Sequence, residues 1–393
     1  MNKIELLAPA GDIERLKIAF LYGADSCYIG GKKYSLRANA KNFGINEIKE
    51  ACNFAHSLNK KVYVTVNMIF HEEDLEGIED YLKELSDAKV DAVIIADLFL
   101  IPIIKEKYPN LDIIISTQNT ATNKEIVKFF LNQGIKRVVL ARELSSIEIK
   151  EIIKETNVSA EIFLHGAMCA CFSGRCLLSN YFTNRDANRG GCSQVCRYVF
   201  DLNKKRDIPF SFSTKDLMLA PHIDKIIEMG VATLKIEGRM RSTYYVASVI
   251  SSYRKLLDAY YNNTYSEELL NKELNILNKV ANRESSDQYF DKVATMQDQY
   301  FTNREEVSNQ DFIGLVLDYN KETKMVTIEQ RNYFKTGDQV QIFGPNNREI
   351  NFIIDKIYDE DSNEIDCANH PKQIVTTKIP GIVCKDDMMR KYY

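Results

Sequence analysis

Cys169, Cys176, Cys192 and Cys196 fall within 28 residues, with Cys171 between them, in a glycine- and arginine-rich segment from Glu161 to Phe200. The chain's opening residues, MNKIELLAPAGD, reach charge and glycine too early for a secretory leader. Thiols gathered so densely in such a chain are expected to hold a metal or cluster rather than pair as disulfides. Their spacing is Cys169-x6-Cys176, fifteen residues, then Cys192-x3-Cys196. Structural zinc favours pairs with about two to four residues between ligands, which the first pair exceeds. An iron–sulfur cluster is a larger object, and four thiolates on loosely spaced, glycine-containing loops suit it better. Zinc is the alternative, and a set of reduced structural thiols is the bland reading. Gly166, Gly174, Gly190 and Gly191 let the backbone turn closely around an inorganic core. Arg175, Arg185, Arg189 and Arg197, opposed there by the single acid Asp186, would stabilise thiolates.

Other chemistries find no motif. Of the five histidines none belongs to an HExxH pair, since His71-Glu72-Glu73-Asp74 lacks the second histidine. No GxSxG elbow, Walker loop or GxGxxG fingerprint occurs. Cys169 or Cys176 with His165 could form a thiol nucleophile, but crowded thiols fit ligation better. His165 is expected at a pocket mouth or bonded to backbone.

Elements must position these groups, and short apolar runs alternate with amphipathic stretches through the first 260 or so residues. The runs are Ile4–Leu7, Ser26–Ile29, Val62–Val66, Ala92–Ala96, Ile113–Ser116, Arg137–Leu140, Glu161–Leu164 and Thr233–Ile236. Helical spacing marks Asp12–Tyr22, Ile45–Leu58, Glu73–Leu85 and Ile147–Glu155, with Gly23, Gly134 and Gly230 as C-caps. Eight such units predict an α/β fold, a TIM-barrel-like (β/α)8 domain, with an open doubly wound sheet as the alternative. Residues just after the strands would then share one mouth. They are Pro9-Ala10-Gly11, Gly30-Gly31, Asn67, Asp97, Gln118-Asn119, Arg142-Glu143, His165-Gly166 and Glu237-Gly238-Arg239. These types suit an oxygen-rich anion: Arg142 and Arg239 as clamps on a small carboxylate, Glu143 or Glu237 as acid–base groups. The cysteine segment delays the eighth strand by more than sixty residues, an insertion long enough to be functional.

The 393 residues are 45% hydrophobic with net charge -4, enough for a large core and against nucleic acid wrapping most of the surface. No apolar run approaches membrane-spanning length, and a cytoplasmic location is expected. Cys27, Cys52, Cys367 and Cys384 are read as small buried residues. The domains are expected at 1–265 for the barrel with its cysteine-rich segment 161–200, 266–308 for a helical and polar connector, and 309–393 for a small C-terminal β-barrel. In the tail, Ile313–Leu317, Met325–Gln330, Gln339–Ile342, Asn351–Ile357 and Ile374–Thr377 alternate as strands. Arg331, Lys335, Arg348 and Lys372 could face RNA phosphates or only solvent.

One run carries a resemblance: Glu161-x-Phe163-x-x-Gly166-Ala167-Met168-Cys169-x4-Gly174-x-Cys176-x-Leu178-Ser179 resembles the signature of peptidase family U32, the collagenase-like group. Asn188 to Arg197, Ser116-Thr117-Gln118, Ala141 to Leu144 and Lys235 to Arg239 are similar to further family blocks, and the tail with Arg331-Asn332-x-Phe334-Lys335-x-Gly337-Asp338 to the C-terminal domain of the longer members. The resemblance implies oxygen-independent hydroxylation, in the long members of the tRNA wobble uridine to 5-hydroxyuridine. It implies prephenate as co-substrate and hydroxyl donor, and a 4Fe-4S cluster on Cys169, Cys176, Cys192 and Cys196, with Cys171 as substitute ligand. tRNA is then the partner, with a possible homologous partner protein. A collagenase-like peptidase is the alternative, and a non-catalytic subunit the third reading. Where relatives carry glycine before the aromatic pair Tyr289-Phe290, this chain has Asp287-Gln288.

Overall fold

The computed structural model describes residues 3–37, 41–201, 209–300 and 311–392. Eight parallel strands form its centre: β1 (Glu5–Pro9), β2 (Ser26–Gly30), β3 (Lys61–Val66), β4 (Ala92–Ile95), β5 (Asp112–Ile115), β6 (Arg137–Val139), β7 (Ser159–Gly166) and β8 (Thr233–Ile236). Each pairs with the next, and β8 pairs with both β7 and β1, so the sheet closes on itself. That closure decides for the barrel over the open sheet. The strands are almost wholly buried because helices cover their outer face. These are α1 (Ile13–Leu21), α2 (Ile45–Ser57), α3 (Ile78–Asp87), α4 (Leu100–Lys107), α5 (Lys124–Asn132), α6 (Ser146–Thr156), then, beyond the short α7 (Leu178–Thr183), α8 (Ile223–Glu228) and α9 (Thr243–Tyr261). Local chemistry starts them: Asp12 accepts from the Arg15 amide, Asn123 from Glu125 and Ile126, and Ser145 and Glu148 form a capping box.

The 266–308 run is joined to the barrel. Its first part is α10 (Glu267–Val280), packed on α9. Ser285–Ser286 then adds to Asp216–Met218, which itself runs antiparallel to the end of β7. Residues 301–308 of the expected connector lie outside the described residues. The tail forms an antiparallel sheet of β9 (Phe312–Asn320), β10 (Met325–Gln330), β11 (Gln339–Gly344), β12 (Arg348–Ile353), β13 (Ile374–Lys378) and β14 (Met388–Lys391), ordered β12–β11–β14–β9–β10–β13 and extended by two short strands. It has its own apolar core but also feeds Phe343 and Met388 into that of the barrel. Tyr244 of α9 stacks on Phe312 at 4.6 Å, and Tyr22 donates to the Asp386 carbonyl at 2.9 Å. Two cysteines expected in the interior are not there: Cys367 is half-buried and Cys384, in a turn before β14, is exposed.

Charge occupies the barrel interior. Glu161 is fully buried; Lys235 Nζ donates to it at 2.9 Å and Arg137 Nε at 2.7 Å, while Arg137 also reaches Glu5 at 3.0 Å. Burial raises the Glu161 pKa, but Lys235 and Arg137 outweigh it and hold the carboxyl below its ordinary range. His165 stands elsewhere, buried with Nδ1 3.2 Å from the Tyr253 hydroxyl of α9; burial, helped by Arg241, lowers its pKa to about 3.

Glu161→Gln, which leaves Lys235 and Arg137 facing an uncharged group, is expected to lower stability by about 3–5 kcal/mol, read as a shift of the urea midpoint at unchanged slope. His165 takes up a proton near pH 6.5 in the unfolded chain but only near 3 when folded. Its contribution is therefore full above about pH 6.5 and lost as pH falls toward 3. The stability difference between wild type and His165→Phe should shrink over that window by up to about 1.4 kcal/mol per pH unit; a difference that stays flat would place a charged imidazole there.

Candidate functional site

The ends of β2, β3 and β8 build one wall of the mouth. After β2 the chain runs Gly30-Gly31 into a loop reaching Arg37, and after β8 it runs Glu237-Gly238-Arg239. Arg239 is buried: Nη1 donates to Ser35 Oγ at 3.1 Å and Thr65 Oγ1 at 3.3 Å, and Nη2 to the Leu36 carbonyl. A methyl on Gly30 would lie 1.7 Å from Arg239 Nη1, so only glycine admits the guanidinium. Burial lowers the Arg239 pKa to about 10, which leaves it cationic at neutral pH. Expected as an anion clamp, Arg239 directs these donors to β3 and to the loop that carries Arg37.

Glu237 lies at the centre of the mouth. Its carboxylate accepts from the Tyr28 hydroxyl at 3.2 Å and from Arg37 Nη2 at 3.4 Å. Burial raises its pKa, but Arg37, Arg142 and Arg239 together hold it below the ordinary carboxylate range. Glu237 is thus an ionised acceptor rather than a proton donor. Arg142 sits half-buried over the Phe163 ring, 4.0 Å from its centroid, and donates to the Ala167 carbonyl at 2.6 Å. Glu143 turns to another task, accepting from the Ser173 amide at 2.7 Å and so fixing the turn between Cys171 and Cys176. His165, against Tyr253 and Tyr245, does not join these groups.

The cysteine segment forms a lid tied to the barrel at several points. Arg189 pairs with Glu73 at 2.9 Å and with Asp74, the Ile69 amide donates to the Asn188 carbonyl, and Thr214 Oγ1 donates to the Met168 carbonyl at 3.2 Å. Asn188 clasps Cys176, accepting from its amide and donating to its carbonyl at 3.1 Å each. The thiols are reduced and half-buried. Burial pushes Cys171 up to about 12, with Cys176, Cys169 and Cys196 adding to it, and burial also raises Cys196 despite Arg197 beside it. The five thiols thus lie close enough to feel one another's charge. Among the described residues no three histidine, cysteine or acidic groups converge on one metal ion. The Leu178 amide donates to Cys176 Sγ at 3.4 Å, and mutually interacting thiols with amide donors of this kind are the chemistry that an iron–sulfur cluster would use.

Arg37 was invisible as a site residue in the sequence. Its pKa is raised first by Glu237, against burial, and then by Cys169 and Cys192, so the guanidinium feels both the barrel carboxylate and the lid thiols. Gln118 is a second residue of note at a strand end. The residue is buried at the end of β5, with neither its amide nitrogen nor its oxygen hydrogen-bonded among the described residues. The Gly30-Gly31 pair was the one sequence signal near Arg37, and it marked the turn rather than the arginine.

The family model for Peptidase family U32 matches residues 11–300, and that for the Peptidase family U32 C-terminal domain matches residues 308–390. The chain is 46% identical to tRNA hydroxylation protein P1 of Bacillus subtilis, covering 99% of this chain and 95% of that one. It is 32% identical to tRNA hydroxylation protein P of Haemophilus influenzae, covering 96% and 94%. It is also 33% identical to a protein named Collagenase from Porphyromonas gingivalis, covering 74% of each. With the barrel and its thiol-bearing lid matched by one family model and the β-domain by the other, the chain belongs to peptidase family U32.

Proposed function

We propose that this protein is an RNA hydroxylase that converts a tRNA uridine to 5-hydroxyuridine without molecular oxygen, taking the hydroxyl group from a small carboxylate donor, prephenate by its family resemblance. The observation that supports this reading is the Arg37–Glu237 ion pair at 3.4 Å just beyond β8, close enough to the lid for the Cys169 and Cys192 thiols to act on the guanidinium. A mouth with Arg37 and Arg142 at its edge attracts an anion, and the unpartnered Gln118 amide offers a donor and an acceptor to its oxygens. Cys169, Cys176, Cys192 and Cys196 would hold a 4Fe-4S cluster, which when bound supplies redox or Lewis-acid chemistry next to that pocket. Exchanging hydrogen for hydroxyl at uracil C5 oxidises the base by two electrons, so the donor that gives up its hydroxyl must take the electron pair and a proton in its place, C5–H and R–OH becoming C5–OH and R–H. The Glu237 carboxylate, kept ionised by its arginines and hydrogen-bonded to Tyr28, would accept the C5 proton and pass it on. Arg239 works at one remove, holding the loop that presents Arg37. Tyr28 and Arg239 are positioning residues in this scheme.

Nucleoside mass spectrometry of tRNA tests the reaction: cells lacking the protein should lose 5-hydroxyuridine and its derivatives. Cys176→Ala should fail to restore them and should, purified anaerobically, carry less iron and sulfide than wild type. An iron-free wild-type preparation made under the same conditions sinks the cluster assignment, and unchanged nucleosides sink the reaction. In a reconstituted assay Arg37→Met is expected to lower kcat/KM for the carboxylate donor by about 10- to 100-fold, the worth of a charge-assisted contact, with Arg37→Lys intermediate.

A further inference from the structure

The lid exposes more aromatic surface than its own folding uses. Tyr181 is 82% exposed, Phe182 58% and Phe172 55%, and Tyr198 and Phe212 are exposed as well. Two of these rings are joined through Phe200: Phe182 meets it edge-on at 5.4 Å, and Phe212 at 5.9 Å. Beneath them Ser179 and Thr183 of α7 bond to Ser193, the neighbour of Cys192, through contacts of 3.0 and 2.8 Å, so the ridge is fixed to the cysteine framework. An exposed apolar ridge of this kind marks a binding surface.

Charge selects the occupant. The chain as a whole carries net charge -4, yet from Cys169 to Phe200 there are four arginines and one acid. Arg189 is neutralised by Glu73 and Asp74, whereas Arg175 and Arg185 are exposed and have no acidic partner among the described residues. Cations interleaved with exposed aromatic faces suit single-stranded nucleic acid, whose phosphates take the arginines and whose unstacked bases lie on the rings. The tail offers less than its sequence promised, because Arg331 is paired with Glu329 at 2.6 Å and Arg348 with Asp387 at 2.8 Å.

We propose that the ridge formed by Phe172, Tyr181, Phe182, Tyr198 and Phe212, flanked by Arg175 and Arg185, is the docking surface for a single-stranded RNA loop. This rests on the RNA-hydroxylase reading and deepens it. A uracil within a stack cannot present C5 to the barrel mouth, so it must leave the stack. The bases on either side then lose a stacking face, and the lid supplies one. The surface therefore selects an RNA loop over a duplex, without reading the sequence of the flanking bases.

The test uses the full chain prepared anaerobically and a fluorescein-labelled RNA hairpin with a uridine-containing loop, compared with the same strand annealed to its complement. Wild type should bind the hairpin more tightly than the duplex. Tyr181→Ala combined with Phe182→Ala should weaken hairpin binding at least about fivefold, the effect of losing a stacked base, and Tyr181→Phe should not. Arg175→Glu should reduce the salt dependence of binding by about one released ion. Equal affinity for hairpin and duplex overturns the proposal, as does a double alanine variant that binds like wild type. So does a ridge that serves a protein instead, seen as wild-type self-association abolished in the double variant while hairpin affinity is unchanged. The two readings separate in cells lacking the native protein. If wild type restores 5-hydroxyuridine and the double variant does so equally well, the ridge fails and the hydroxylase stands. If wild type restores none, the hydroxylase fails, and the hairpin comparison still decides the ridge.

Discussion

The Glu161 carboxylate has no access to water, and Lys235 and Arg137 hold it ionised between β6, β7 and β8. A buried ion pair adds little net stability against an apolar alternative, but leaving one of its charges unmatched is costly. Its value here is register. β7 and β8 are neighbours in the sheet although more than sixty residues separate them in the chain. A slip of β8 by one residue would turn Lys235 to the opposite face of the wall and leave Glu161 short of a partner. The pairing thus selects one closure of the barrel at the seam where the chain departs to build the lid and returns.

That register also sets the mouth. Pairing along the seam shifts between Lys235 and Ile236, so that Ile236 meets His165 instead of Leu164. An irregularity of this kind re-aims the residues beyond it. Gly166 leaves one strand at this point, and Glu237-Gly238-Arg239 leaves the other. Gly166 takes φ +110°, and a methyl there would come within 2.6 Å of the Glu237 carbonyl. Close approach of the two strand exits brings Glu237 under Tyr28 and Arg37 while Arg239 passes over Gly30. Both the lid and this wall of the mouth therefore inherit their positions from one buried seam.

The sequence carried the barrel because doubly covered strands must be apolar throughout, and each of the eight runs named from residue type contains or overlaps an observed strand. It carried the thiols because their density is unusual. It did not carry the partners of charged residues. Arg142, Glu143, Glu237 and Arg239 all come just after strands, yet Glu143 secures the lid and Arg239 braces a loop, a division set by contacts between residues far apart in the chain. Arg37 lay in a loop with no periodicity to mark it. The last strand, β14, was missed because Met388-Met389-Arg390-Lys391 has no alternating pattern; Arg390 is buried only because Gln341 accepts from it and Phe343 lies beneath it. Gln288 shows the reverse case. The family resemblance leads one to expect a glycine near this point, and Gln288 has φ +52°, the left-handed region that favours glycine. Its side chain offsets the strain by donating to the Lys215 carbonyl at 2.9 Å, binding the segment after α10 to the strand beside β7.

The same contacts weigh between the two activities that the family's names suggest. A thiol peptidase would need an imidazole within hydrogen-bond reach of a cysteine, the two being aligned by a third group. Here the one histidine near the signature cysteines in sequence is buried against Tyr253, with a pKa too low to serve as a general base near neutrality. The cysteines face other cysteines and Arg37 instead, and the groups around them, Asn188, Ser173 with Glu143, and Ser193 with Ser179, bind backbone and shape the loops. Support directed at loop shape rather than at one nucleophile is what a multi-thiol ligand set requires. The ionised Glu237 carboxylate is engaged by Arg37 and Tyr28 rather than by a histidine. Carboxylate and thiols are thus held by separate sets of contacts, Glu237 by Tyr28 and Arg37 and the cysteine loops by Asn188, Glu143 and Ser179, with His165 in neither set.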